Sequence, residues 1–434
     1  MKKITGRAVS VLLIAALVVF GMVMYLLRYI DEGEKWALYF SRANSGSSGV
    51  LIDRNGEMLA AFDATHNLYN ADQLTREANF HVTGDYWGRT GTGLISRYFK
   101  DIQDFSLLTG TTRTESSMLQ LTVDAKLNNV IYEALGKTKN ACMLVCNYRT
   151  GELLGMVSTP TVDPMDAVTP PREGAYINRC ISSAFTPGSV FKLITSAAAI
   201  EHIANIDEES FWCDEEYDIA GVTITCMGPH YTQSFREALA NSCNVAFAQI
   251  AVRLGQDTMI DYVRQYGFLD THELSGIPTA KGGYPLDFVG DPELAWSGIG
   301  QSTDLVCPYS MLRYLCAIAN DGQLIEPRIV RTDSVPEPTR LLASGTAERL
   351  HDMMRFNVED HYEPELNFPG LPLCAKTGTA ELAEGIEPHS WFVGFLEDEE
   401  HPYAFVTLIE NGGYGITAAG STANKVLQWV VNNL

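Results

Sequence analysis

The sequence predicts an α+β protein, a mostly antiparallel sheet covered by helices, carried on one membrane-spanning helix. Three observations carry that reading. Strand-like apolar runs stand at both ends of the large C-terminal part, helical periodicity dominates between them, and the stretch from Ala8 to Leu27 holds no charge.

That uncharged stretch is about 20 residues long, the length needed to cross a hydrocarbon core. Lys2, Lys3 and Arg7 precede it and place its start in the cytoplasm, while "LLRYIDEGEKW" after it offers no small-residue cleavage site. The sequence therefore predicts a cytoplasmic tail at 1–7, an anchor at 8–28 and an extracytoplasmic remainder in a single-pass membrane protein. Residues 29–116 read as a short linker, "SRANSGSSG", and a small accessory region. Within that region "VLIDRNGEMLAAFD" is a hairpin turning at Asp53-Arg54-Asn55-Gly56. The large domain, 117–434, opens with a helix in "TVDAKLNNVIYEALGK" and two strands in "ACMLVCNYRTGELLGMVST". Helices dominate from Ser189 to about Asn320. Three strands, "PLCAKTGTAEL", "SWFVGFLE" and "YAFVTLIEN", and a final helix close the chain.

A formal charge of -22 argues against a broad basic face for nucleic acid. The nine cysteines are odd in number and read mainly as buried thiols, with Cys142, Cys146, Cys316 and Cys374 in apolar runs. Cys213 and Cys226 flank "DEEYDIAGVTIT", a second hairpin, and the spacing leaves open whether they pair. No pair of Cys-x-x-Cys spacings occurs, so neither a metal nor a cofactor is expected.

Three short segments can carry chemistry. In "FTPGSVFKLITSAAAIE", Ser189 begins a helix that is apolar all round, and Lys192 lies one turn on, within reach of the hydroxyl. Burial and the helix dipole both lower a lysine pKa, so Lys192 can act as a neutral base for a serine nucleophile. The plain alternative is a capping serine with a lysine reaching for water. In "ALANSCNVAF", Ser242 offers a second hydroxyl for proton transfer and Asn244 an amide for a peptide-like substrate. In "CAKTGTAE", Lys376, Thr377, Gly378 and Thr379 lie on a strand where glycine is disfavoured unless another backbone comes close; a substrate is one such backbone. Lys376 would bring charge to a substrate carboxylate, and the Ser189 and Thr379 N–H groups would make an oxyanion hole.

Ser-x-x-Lys, Ser-Asp-Asn and Lys-Thr-Gly together mark β-lactamases and penicillin-binding proteins, and here only Cys243 departs, at the centre of the second. With "IDRNGEMLA", "INRCISSAFTPGSVFK", "GIGQSTDLVCPYSML" and "PHSWFVGF", the chain resembles the class B penicillin-binding proteins from Gly49 onward. Ser48 stands where that family usually has arginine, and Cys307 where it has threonine. The resemblance implies the penicillin-recognising serine transpeptidase fold and a D,D-transpeptidase of peptidoglycan, with a Ser189 acyl-enzyme on stem peptides ending in D-Ala-D-Ala. It makes Lys192 the base, Ser242 and Asn244 the second motif, and Lys376, Thr377 and Thr379 the carboxylate holders. It also implies acylation by β-lactams and a separate glycan-polymerising membrane enzyme as partner. Water as acceptor would make a carboxypeptidase. A β-lactamase would need a deacylating glutamate; Glu363 matches Glu-x-x-Leu-Asn but lies too close to Lys376 in sequence. A β-lactam sensor would need an output segment.

Overall fold

The computed structural model describes residues 2–40, 49–62, 67–85, 88–98, 105–106, 110–111, 117–166, 168–287, 289–382 and 385–434. The expected linker, apart from its last glycine, and Ser48 lie outside them. Helix α1 (Lys2–Phe40) contains one apolar span, Gly6–Ile30, none of it buried against the rest of the chain. A helix satisfies its own backbone hydrogen bonds, so length and composition together suit α1 to a single crossing of a bilayer.

The first hairpin forms as its turn chemistry requires. β1 (Gly49–Ile52) and β2 (Met58–Phe62) pair antiparallel, and Asp53 Oδ1 accepts from the Asn55 and Glu57 N–H groups at 2.8 Å each. β3 (Asn67–Tyr69) extends this sheet on one side; β4 (Ser117–Gln120) lies parallel to β1 on the other. Residues Ser117–Gln120 thus complete the accessory sheet, although the sequence groups them with the large domain.

The large sheet brings together both ends of the domain. β5 (Ala141–Asn147) and β6 (Leu153–Thr159) come early in the chain. β7 (Ser210–Cys213) pairs with β10 (Tyr231–Ser234), and β8 (Glu216–Ile219) with β9 (Val222–Thr225), in a small lobe outside the sheet. β11 (Leu373–Ala380), β12 (His389–Leu396) and β13 (Tyr403–Ile409) come late, and the sheet runs β11-β12-β13-β5-β6, antiparallel throughout. Both faces are covered. Side chains alternate along β5, with Cys142, Leu144 and Cys146 entering one core and Ala141, Met143 and Val145 the other. This two-sided burial is why the strands read as continuous apolar runs.

Helices α2 (Ala125–Leu135) and, at the chain end, α8 (Ser421–Asn433) pack on one face through Leu127, Ile131, Val426 and Val430. The opposite core holds α3 (Lys192–His202), α4 (Phe235–Ala240), α5 (Asn244–Leu254), α6 (Pro308–Ala319) and most of the buried face of α7 (Ser344–His361). On the first face Phe392 stacks on Phe368 with centroids 5.1 Å apart and lies 5.7 Å from Phe405. Phe392→Ala removes the centre of that stack and should cost about 3–5 kcal/mol. A urea midpoint equal to that of the parent protein would show that the stack adds nothing.

Candidate active site

The site forms where α3, the α4–α5 turn and β11 converge. Pro187-Gly188 redirects the chain, Gly188–Phe191 form one tight helical turn, and α3 continues from Lys192. Gly188 sits at φ 56°, and a Cβ there would lie 2.7 Å from the Thr379 carbonyl oxygen. Gly300 seals the other side, since its Cβ would lie 2.1 Å from the Gly188 oxygen. Three backbone segments therefore meet with no room for a side chain.

Lys192 is fully buried, and its Nζ meets four oxygens. The Ser242 carbonyl and Asn244 Oδ1 each lie 2.7 Å away, Ser189 Oγ 2.9 Å and Ser242 Oγ 3.3 Å. The Asn244 amide has one orientation, because its Nδ2 donates to the Thr225 carbonyl at 2.9 Å. Both closest oxygens are therefore acceptors that cannot donate. A neutral amine spends its two N–H groups on them, which leaves its lone pair for the Ser189 hydroxyl proton. Burial lowers the Lys192 pKa to about 8, so the neutral form is accessible near physiological pH. Among the described residues no carboxylate pairs with it.

Ser242 adopts φ 53°, a left-handed backbone that a serine holds only when its surroundings compel it. Its hydroxyl also accepts from Lys376 Nζ at 3.0 Å. Lys376 is itself fully buried, donates to the Thr377 carbonyl at 3.0 Å, and is held well below the usual lysine range by burial and then by Lys192. The Lys376 amine does not line the cavity itself and reaches it through the Ser242 hydroxyl. Strand alternation explains it: Thr377 and Thr379 point into the cavity, so Lys376 and Gly378 point away. The chain's own backbone comes close to Gly378. A Cβ there would meet the Pro187 oxygen and Val190 Cγ1 at 2.9 Å each, so the glycine seats the turn that carries Ser189.

Ser189, Ser242, Asn244, Thr377 and Thr379 share one cavity of about 200 Å³. Its remaining walls include Trp296, Gln301, Glu381 and Tyr414, none of which was singled out from the sequence. Behind the wall, the buried Tyr362 hydroxyl accepts the Thr377 N–H at 3.0 Å and fixes that strand edge. Glu363 is exposed and does not line the cavity, as its sequence position implied.

All nine cysteines are free, so Cys213 and Cys226 are not bridged. Their thiols instead meet those of Cys243 and a nitrogen of His230, the four donor atoms lying within 4.8 Å of one another beside the second motif. These donors come from the end of β7, the β9–β10 connection and the N-cap of α5 rather than from Cys-x-x-Cys pairs. Cys226 and Asn244 are linked directly, the Asn244 N–H donating to Cys226 Sγ at 3.3 Å. The contact with Cys243 and that N–H both hold the Cys226 thiol below its usual range.

The pattern of the penicillin binding protein transpeptidase domain matches residues 141–428. The chain belongs to that family, in its class B group. Its relatives include stage V sporulation protein D of Bacillus subtilis, 26% identical over 71% of this chain and 52% of that one. Another is the peptidoglycan D,D-transpeptidase PbpA of Mycolicibacterium smegmatis, 28% identical over 62% of each. The chain thus spans between about half and just under two-thirds of the length of these relatives. Among solved structures, penicillin-binding protein A of M. tuberculosis in its ceftriaxone acyl-enzyme complex superposes with a TM-score of 0.78 at 22% identity, covering 90% of this chain and 99% of that one. The D,D-transpeptidase domain of a peptidoglycan glycosyltransferase from Eggerthella lenta gives 0.77 at 24% identity, covering 89% and 99%.

Two glycines separate packing from propensity. Gly378→Ala should destabilise the protein by about 1–3 kcal/mol through overpacking. Gly345→Ala, on α7 with nothing within 4 Å of its Cβ, should stabilise it by up to about 1 kcal/mol. Chemical denaturation of the two variants checks this, and equal effects would refute the seating role of Gly378.

Proposed function

We propose that the protein is a membrane-anchored serine D,D-transpeptidase that cross-links peptidoglycan stem peptides. The observation that carries this reading is the Lys192 amine, held by two carbonyl oxygens with its third close contact on Ser189 Oγ. Lys192 takes the proton as Ser189 attacks the penultimate D-Ala carbonyl, and the backbone N–H groups of Ser189 and Thr379 receive the developing oxyanion. The proton passes through Ser242 to the departing D-Ala. Thr377 and Thr379 hold the substrate carboxylate by hydrogen bonds, with Lys376 acting behind them through Ser242. An amine from a second stem peptide then attacks the acyl-enzyme. β-Lactams acylate Ser189 by the same route. The domain division proposed is an anchor within α1, an accessory sheet, and a transpeptidase domain; polymerisation falls to a separate membrane enzyme. A deacylating β-lactamase is disfavoured by the exposed position of Glu363.

Intact-mass spectrometry after mixing the full chain with benzylpenicillin should give a long-lived adduct mapping to Ser189, absent in Ser189→Ala. Rapid release of hydrolysed drug would mean a β-lactamase instead. Because the base acts in its neutral form and its pKa is about 8, the acylation rate should rise tenfold per pH unit below that value and level off above it. Lys192→Ala should slow acylation by at least 100-fold while the protein stays folded; a variant acylating at the parent rate would remove lysine from the mechanism.

A further inference from the structure

We infer that Cys213, Cys226, His230 and Cys243 together bind one divalent metal ion of the zinc type, and that this ion holds the second motif in place. The argument begins with distances. Two thiolates bound to tetrahedral zinc, each at about 2.3 Å, stand about 3.8 Å apart, and a thiolate and an imidazole nitrogen about 3.6 Å apart. Cys226 Sγ lies 4.0 Å from Cys243 Sγ and 3.5 Å from His230 Nδ1. These separations suit a shared ion and are far from the length of about 2.0 Å that a disulfide requires.

The backbone treats the sulfurs as acceptors. Asn244 N–H points to Cys226 Sγ at 3.3 Å and Ala246 N–H to Cys243 Sγ at 3.4 Å, while Cys243 caps α5 at its positive end. Such N–H groups stabilise metal thiolates by offsetting their charge. Two of the four ligands, Cys213 and Cys243, are fully buried, so water does not satisfy them.

The lobe also lacks another means of holding together. In β7–β10 only Phe211, Cys213, Ile219, Ile224 and Gln233 are buried, and β8 and β9 are otherwise exposed. Small units with so little core are commonly stapled by a metal or by disulfides, and no disulfide is present. An ion at this point would tie Cys213 at the end of β7, Cys226 after β9 and His230 before β10 to Cys243, the residue between Ser242 and Asn244. A second group, His351, Cys374 and Glu397, offers only three donors, and Arg355 already engages Glu397 at 3.2 Å.

The test uses the full chain purified in detergent under reducing conditions without added metal. Inductively coupled plasma mass spectrometry should find close to one zinc per chain, and exchange with Co²⁺ should give the intense near-ultraviolet thiolate charge-transfer band and visible bands of tetrahedral cobalt. Cys213→Ser and His230→Ala should each lose at least tenfold in zinc affinity against a chromophoric chelator. Removing zinc from the parent protein should speed hydrogen exchange at the Asn244 and Ala246 amides by at least tenfold, with little change in α2. Less than one-tenth of an equivalent of zinc with no cobalt charge-transfer band would overturn the inference, as would unchanged affinity in both variants or a Cys226–Cys243 disulfide in the freshly purified protein. Unchanged exchange on zinc removal would overturn the holding role. None of these readings uses Ser189, so a chain that binds zinc but fails to react with benzylpenicillin would refute the proposed activity alone.

Discussion

The constraint on which the site depends is that a buried amine must find a partner for every N–H it carries. Around Lys192 the two best acceptors are carbonyl oxygens from one short turn, the Ser242 main chain and the Asn244 side chain. That turn is in consequence held in an unfavourable backbone conformation at Ser242. α3 delivers the amine, the α4–α5 turn takes up its protons, and the serine is left facing the lone pair. Displacing any one of these elements would leave a polar group unsatisfied in a medium where that costs several kcal/mol.

Lys376 makes the arrangement a coupled one. Its Nζ and that of Lys192 approach the same Ser242 hydroxyl, and neither has a carboxylate beside it among the described residues. Two positive charges at such a distance would repel, so Lys192 adds to burial in holding Lys376 well below the usual lysine range. Ser242 is well placed between them to relay a proton, since its oxygen can accept from one lysine while its hydrogen serves another acceptor.

What was legible in the sequence follows from the range of the interactions involved. Ser189 and Lys192 are a turn apart on one helix, so their proximity is local and readable. The span in α1 is a matter of composition, and the strands of the large sheet announce themselves by apolar runs. The sequence groups Lys376 with Thr377 and Thr379 on one strand; that alternation turns only the two threonines into the cavity depends on packing against a turn almost 190 residues earlier. The parallel pairing of Ser117–Gln120 with Gly49–Ile52 is equally non-local. The Cys213, Cys226, His230 and Cys243 cluster contains no Cys-x-x-Cys pair, because the fold supplies its donors from strand ends and a helix cap. Gln301 and Glu381 flank motif residues in sequence, but only the folded packing puts them in the cavity wall.

The glycine contacts at Gly188, Gly300 and Gly378 carry a consequence for how this site can change over generations. Because backbone meets backbone there, the nucleophile has no adjustable neighbours, and a substitution cannot shift it slightly; it can only displace it. Tuning of ligand choice falls to the rim, where Met227, Glu381 and Tyr414 are exposed and their side chains make none of these glycine contacts. The chemistry is inherited whole, and its selectivity is the part left free to drift.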